Sequence, residues 1–102
     1  MSTTKSNRAL TDAELAQIAR LFRLLGEPMR LKILQAVCKT PHTVTAIVAA
    51  TGATQANVSK HLALLAAAGI LTRKKAGQCV YYGIKDRLAV QLCELVRSQL
   101  AD

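Results

Sequence analysis

One stretch limits the fold of this chain more than any other: TQANVSKHLALLAAAGI, Thr54 to Ile70. Thr54 is a good helix N-cap, because its hydroxyl accepts an orphan backbone N–H of the first turn. Val58, Leu62 and Leu65 follow at i, i+4 and i+7, which makes one apolar stripe of a helix. Lys60 falls nearly opposite that stripe. Ala56 and Ala63 flank it, with Gln55 and Ser59 towards one edge and Asn57 towards the other. Short polar groups, amides and a cation are the side chains that hydrogen-bond base edges and phosphates in a major groove. Gly69 sits where a left-handed residue would stop the helix. Taken alone, the pattern fits an ordinary amphipathic surface helix equally well, so its neighbours decide.

Upstream, Val44 to Thr51 reads as a short helix with Thr43 as its N-cap, broken by Gly52. A short helix, a glycine-containing turn and a second helix form a helix-turn-helix. Downstream the character changes. Ile70 to Lys75 suits a strand, Ala76-Gly77 a tight turn and Gln78 to Ile84 a second strand, since β-branched and aromatic residues gather here. Arg73, Lys74 and Lys75 are expected at the hairpin tip, where a run of cations is either a solvated loop or a wing lying along phosphates.

The flanks add helices. Thr11-Asp12-Ala13-Glu14 matches a capping box, and a first helix is predicted over about Asp12 to Leu25. Leu15, Ile18, Ala19, Phe22 and Leu25 form its stripe, with Leu21 and Leu24 outside the tightest part and Gly26 at its end. Pro28 fits the first position of a second helix, about Pro28 to Cys38. That helix is expected to bury Leu31, Leu34, Val37 and Cys38 and to end before Pro41. Asp86 can cap a last helix, about Arg87 to Leu100, with Leu88, Val90, Leu92, Cys93, Leu95, Val96 and Leu100 as its apolar residues. Residues 1–9 are polar and basic and are expected to be a disordered tail, with Lys5 and Arg8 free to touch DNA or a partner. Residues 10–102 form one domain: mainly α with a small β-hairpin, a winged helix-turn-helix with extra N- and C-terminal helices. Those two helices carry more apolar surface than a monomer of this size covers. A symmetric homodimer would bury it and set two reading helices about one DNA turn apart, on a palindromic site.

Composition narrows the partners. Lys plus Arg outnumber Asp plus Glu by 14 to 6, a formal net charge of +8, which favours an acidic polymer. Tryptophan is absent and aromatics are 3%, which argues against readers that stack single-stranded bases on aromatic platforms. No apolar run approaches the roughly 18 residues of a membrane span, and MSTTKSNRAL lacks the apolar core of a secretory signal. The three cysteines, an odd number, suit thiols in a reducing cytoplasm rather than a disulfide framework. No nucleophile–base pair, carboxylate pair or phosphate-binding glycine loop points to an enzyme, and no cofactor is implied. A winged helix used for protein binding stays as the alternative from another class.

Three segments resemble the ArsR/SmtB family of bacterial repressors. LFRLLGEPMRLKIL (Leu21–Leu34) is similar to the family's Leu-x-x-Leu-(Gly/Ala/Ser)-x-Pro-x-Arg-Leu-x-Ile-Leu. TGATQANVSKHLALLAAAGIL (Thr51–Leu71) resembles its Thr-Gly-x-Ser-Gln-x-x-Val-Ser-(Arg/Lys)-His-Leu reading helix, with Thr54 in place of Ser. RKKAGQCVYYGI (Arg73–Ile84) resembles its wing. The resemblance implies a homodimer that binds a double-stranded operator, blocks transcription and lets go on sensing a small inducer. It also implies that Thr54, Gln55, Ser59, Lys60 and His61 lie at or near DNA; the polar face and the cation run add Asn57, Arg73, Lys74 and Lys75 as candidates. His61 faces sideways, so packing or a phosphate contact suits it at least as well as base reading.

The family's well-known metal sites are all missing, and only its sulfur-responsive site is resembled. The place of the arsenic-type cysteine cluster reads His42-Thr43-Val44-Thr45-Ala46-Ile47-Val48, the reading helix has no cysteine, and the last helix has Asp86 and Glu94 but no histidine. Sulfur-responsive members use one cysteine in the second helix and one in the last, which Cys38 and Cys93 resemble out of register. Cys79, in the wing strand, has no counterpart there. Three readings stay open for the thiols: core packing, a thiol or persulfide switch through Cys38 and Cys93, and a metal or metalloid site with non-standard ligands.

Overall fold

The computed structural model describes residues 8–100. Eight elements follow one another: α1 Asp12–Leu25, α2 Pro28–Val37, β1 His42–Thr43, α3 Val44–Thr51, α4 Gln55–Ala67, β2 Leu71–Ala76, β3 Cys79–Ile84 and α5 Leu88–Leu100. The strands form an antiparallel sheet in the order β1-β3-β2. Helices α3 and α4 are the helix-turn-helix and β2–β3 is the wing, so the chain is a winged helix-turn-helix with a helix added at each end.

Local chemistry sets most boundaries. At α1 the capping box is complete: the Glu14 N–H donates to Thr11 Oγ1 at 3.1 Å and the Thr11 N–H donates to Glu14 Oε1 at 2.9 Å. Arg8, which the sequence leaves free to touch DNA or a partner, forks onto the Glu14 carboxylate with two bonds of 2.8 Å. Residues 1–7 of the expected tail lie outside the described residues. Thr43 caps α3 and Thr54 caps α4, each accepting a first-turn N–H at 3.2 Å. Glu27 caps α2, and Leu88 N–H donates to Asp86 Oδ1 at the start of α5. Helix α4 ends in a Schellman motif: Ile70 N–H reaches the Leu65 carbonyl at 3.0 Å and Gly69 N–H the Ala66 carbonyl at 3.1 Å, with Gly69 at φ 80°.

The core is aliphatic. Ile33, Ile47, Val58, Leu62 and Leu65 are fully buried, with Leu34, Val37, Ile70, Leu71 and Ala89 around them. The α4 stripe therefore faces inward as its spacing requires, and each of those side chains contributes about 1.5–3 kcal/mol of apolar burial. In α2 the buried arc is Ile33, Leu34 and Val37, whereas Leu31, expected inside, is 38% exposed and Cys38 is half-buried. The arc is turned towards α3 and α4, which leaves Leu31 and Cys38 on the side of α5.

Helix α1 turns only the end of its expected stripe inward, with Leu25 buried in the core. Leu21 and Leu24 pack against the core, while Leu15, Ile18 and Phe22 of the stripe are exposed, Phe22 at 57%. On α5 only Ala89 and Val90 are buried, and Leu95, Val96 and Leu100 are exposed at 61%, 56% and 78%. The two terminal helices thus turn their richest apolar faces outward. The cation run also differs from expectation: Arg73, Lys74 and Lys75 pair with Tyr82, Tyr81 and Val80 along β2, and the tip is Gly77-Gln78. Strand alternation puts Arg73 and Lys75 on one face of the wing and Lys74 on the other. The short strand β1 was not legible, because its two residues are extended only through pairing with Tyr81 and Tyr82.

Candidate DNA-binding interface

The first half of α4 offers an exposed polar face. Thr54, Gln55, Asn57, Ser59 and Lys60 are all exposed around the buried Val58. Burial of Val58, Leu62 and Leu65 anchors the helix by its inner side, so these polar groups stand outward together. Arg73, Lys74 and Lys75 are exposed on the wing, and Arg73 Nε–H donates to Tyr82 Oη at 3.2 Å. Among the described residues no carboxylate pairs with Lys60, Arg73, Lys74 or Lys75. Their charge is therefore uncompensated at short range, as a phosphate-binding surface needs.

His61 is the exception. Only 6% of it is exposed. Arg30 Nε–H donates to its Nδ1 at 3.2 Å, and its Nε2 lies 4.0 Å from Glu27 Oε1. Of packing, a phosphate contact and base reading, the geometry favours packing, because the ring is buried against α2 and hydrogen-bonded to Arg30. Glu27 and Arg30 were not singled out from the sequence. Their spacing from His61 shows nothing, since the contact spans 31 residues.

The two helical cysteines open onto one groove. Cys38 and Cys93 both line a groove of about 330 Å³ between α2 and α5, together with Leu31, Leu34, Glu94 and Arg97. An adjoining apolar groove of about 330 Å³ holds Phe22, Leu25, Val96 and Leu100 and shares Leu31, Cys93 and Arg97 with it. Cys79 is exposed at the outer end of the wing, opposite Ala76. Among the described residues, no three His, Cys, Asp or Glu side chains stand close enough to hold a metal ion. No helix there is long and apolar enough to cross a membrane.

Comparison with known proteins agrees with this geometry. Residues 27–73, from the cap of α2 to the wing, match the family model described as bacterial regulatory protein, arsR family. The chain is 38% identical over 85 residues to the HTH-type transcriptional regulator CmtR of Mycobacterium tuberculosis, covering 82% of this chain and 72% of that protein. Among solved structures it resembles the antimony-specific transcriptional repressor AntR, with a TM-score of 0.83, 31% identity and coverage of 93% of this chain and 87% of that one. It also resembles the homodimeric winged helix-turn-helix DNA-binding domain of a possible ArsR-family regulator from Mycobacterium bovis, with a TM-score of 0.77, 29% identity and coverage of 92% and 90%. With the helix-turn-helix, the wing and these likenesses together, the chain belongs to the ArsR/SmtB family of DNA-binding transcriptional repressors.

Proposed function

We propose that the chain acts as a homodimer on a palindromic operator and is released through chemistry at Cys38 and Cys93. The single observation that carries the DNA reading is the exposed Gln55, Asn57, Ser59 and Lys60 face standing over a fully buried Val58–Leu62–Leu65 stripe. Amides read adenine edges, and cations and hydroxyls meet phosphates and guanine. The wing cations supply the sequence-independent part of the affinity. Dimerisation is supported by the outward apolar faces of α1 and α5 and by the homodimeric relative from M. bovis. A two-fold axis makes the two α4 helices equivalent and places them on half-sites about 34 Å apart.

The thiol step is supported by the two cysteines sharing one groove. A hydropolysulfide transfers its outer sulfur to one thiol and leaves as a thiol. The second cysteine then attacks the persulfide, forms the Cys38–Cys93 disulfide and expels hydrogen sulfide. A second reading, favoured by the likeness to antimony-specific AntR, is a soft metalloid held by thiolates. Two thiols of one protomer line the groove and Cys79 is on the wing, so this reading needs a third donor from elsewhere.

The test is fluorescence anisotropy on DNA upstream of the protein's own gene, with reduced protein, with protein treated with an organic polysulfide and with protein treated with antimonite. Tight binding by reduced protein is expected, falling steeply with salt at about 0.9 in log–log slope per phosphate neutralised. Polysulfide should release the DNA and reductant should restore binding. Release by antimonite alone would favour the metalloid. Equal binding in all three arms would leave the thiols as packing, and no binding to any duplex would favour a protein-interaction module.

A further inference from the structure

Arg30 joins three helices. Its Nε–H donates to His61 Nδ1 at 3.2 Å and its Nη1–H donates to the Leu24 carbonyl at 3.3 Å. Leu24 lies in the last turn of α1, Arg30 in the first turn of α2 and His61 in the middle of α4. A guanidinium carries donors only, so Nδ1 must be the lone-pair nitrogen and the ring proton must sit on Nε2. That proton is on the side of Glu27, whose Oε1 is 4.0 Å away. The same oxygen accepts the Met29 and Arg30 N–H groups at 2.7 and 3.2 Å, so it is itself fixed to the start of α2. At 6% exposure His61 has almost no access to water that could replace these partners.

The rest of the inner face of α4 is aliphatic. Val58, Leu62 and Leu65 hold the helix at its depth, but apolar burial is non-directional and tolerates rotation and sliding. The hydrogen bond at His61 is directional. It sits between the polar half of α4 and its apolar C-terminal half, where a small rotation would re-aim the whole outward face.

We propose that His61 is a positioning residue for DNA reading. Through Arg30 it sets the rotation and slide of α4 against α2 and the end of α1, and thereby aims Gln55, Asn57, Ser59 and Lys60. This rests on the reading that the exposed face of α4 meets DNA.

Two near-isosteres separate the idea from mere packing. In His61→Asn the amide oxygen falls near the place of Nδ1 and can still accept from Arg30. In His61→Gln the amide reaches towards the place of Nε2 and leaves Arg30 without its acceptor. The full-length variants are compared by anisotropy on the upstream DNA and on a random duplex of equal length, by thermal unfolding, and by hydrogen exchange of the α4 amides without DNA. His61→Asn should stay within about twofold of the unmodified protein on the upstream DNA, and His61→Gln should bind about tenfold more weakly, the scale of couplings through a packed network. Random-duplex affinity should be the same for both, because phosphate contacts dominate it. Thermal unfolding should not separate them, and α4 protection should fall in His61→Gln only.

Equal losses in the two variants, or losses that follow Tm, would overturn the proposal. If the unmodified protein shows no preference for the upstream DNA, the choice of operator fails. Exchange then decides: Asn restoring α4 protection where Gln does not supports the positioning role, and equal protection overturns it.

Discussion

Replacing Phe22 by alanine should weaken the dimer without unfolding the protomer. Phe22 is 57% exposed on α1 and lines a groove with Val96 and Leu100, themselves 56% and 78% exposed. Complete burial of such a side chain is worth about 3 kcal/mol at the upper end. Somewhat over half of that area remains for a partner to cover, so the loss is about 1.5 kcal/mol per copy. A two-fold interface uses the residue twice, which gives about 3 kcal/mol, or a dissociation constant raised by roughly a hundredfold. Sedimentation equilibrium over a concentration series reads this directly, and circular dichroism at high concentration checks that helix content is kept. Operator binding should then require proportionally more protein, because the monomer presents one reading helix instead of two. A Phe22→Ala protein that dimerises like the unmodified chain would refute the α1–α5 interface. So would an unmodified chain that stays monomeric at every concentration.

Further outcomes follow from single side chains. Lys60→Ala should weaken operator binding and reduce the log–log salt slope by about one, since Lys60 is exposed on α4 with no carboxylate partner among the described residues; an unchanged slope would remove Lys60 from the phosphate contacts. Gly69→Ala should cost about 1–2 kcal/mol by urea unfolding, because Gly69 holds φ 80° while a Cβ there meets nothing within 4 Å, so the strain is purely conformational; a neutral substitution would mean that the α4 terminus relaxes. The Glu14 carboxyl is lowered from 4.5 to about 2, first by its bond to Arg8 and then by the Thr11 N–H. A depressed folded value means that its contribution to the first turn of α1 is present above 4.5 and is lost as pH falls towards 2. An NMR titration of Glu14 with its midpoint in the ordinary carboxylate range would reject the fork with Arg8.

What was legible in the sequence is what local chemistry decides. Thr11, Thr43 and Thr54 start their helices through bonds to backbone groups three residues on, so α1, α3 and α4 begin where the residues say. The period of Val58, Leu62 and Leu65 has one possible inner face, and it is buried. Helix α1 was ambiguous because its apolar arc is broad: periodicity shows that Leu21, Leu24, Leu15 and Phe22 are all apolar, but not which arc meets its own core. Leu21 and Leu24 do, and Leu15 and Phe22 do not. His61 was uncertain for a related reason. It lies at the edge of the α4 stripe, and only the distant Arg30 and Glu27 decide that its ring turns inward. Strand β1 and the groove shared by Cys38 and Cys93 likewise exist only through contacts between segments far apart in the chain.

If Cys38 and Cys93 form the switch proposed above, helix α2 is the element that links their groove to the reading helix. Cys38 caps its C-terminal end beside α5, and Arg30 lies in its first turn beside His61. An α-helix of ten residues is about 15 Å long and stiff on that scale, so a pull on one end reaches the other as tilt or slide rather than being absorbed. The size of the required effect bears on the choice of inducer. Moving an operator from almost fully occupied to almost empty takes about 5.5 kcal/mol of differential stabilisation. Non-covalent coupling between sites supplies typically 1–3 kcal/mol per ligand. Two inducers on a dimer reach that figure only at the top of the range, whereas a covalent sulfur bridge draws on the chemical potential of its oxidant. On these magnitudes the proposed thiol switch would give the more complete release, and a non-covalent inducer would leave measurable residual binding at saturation.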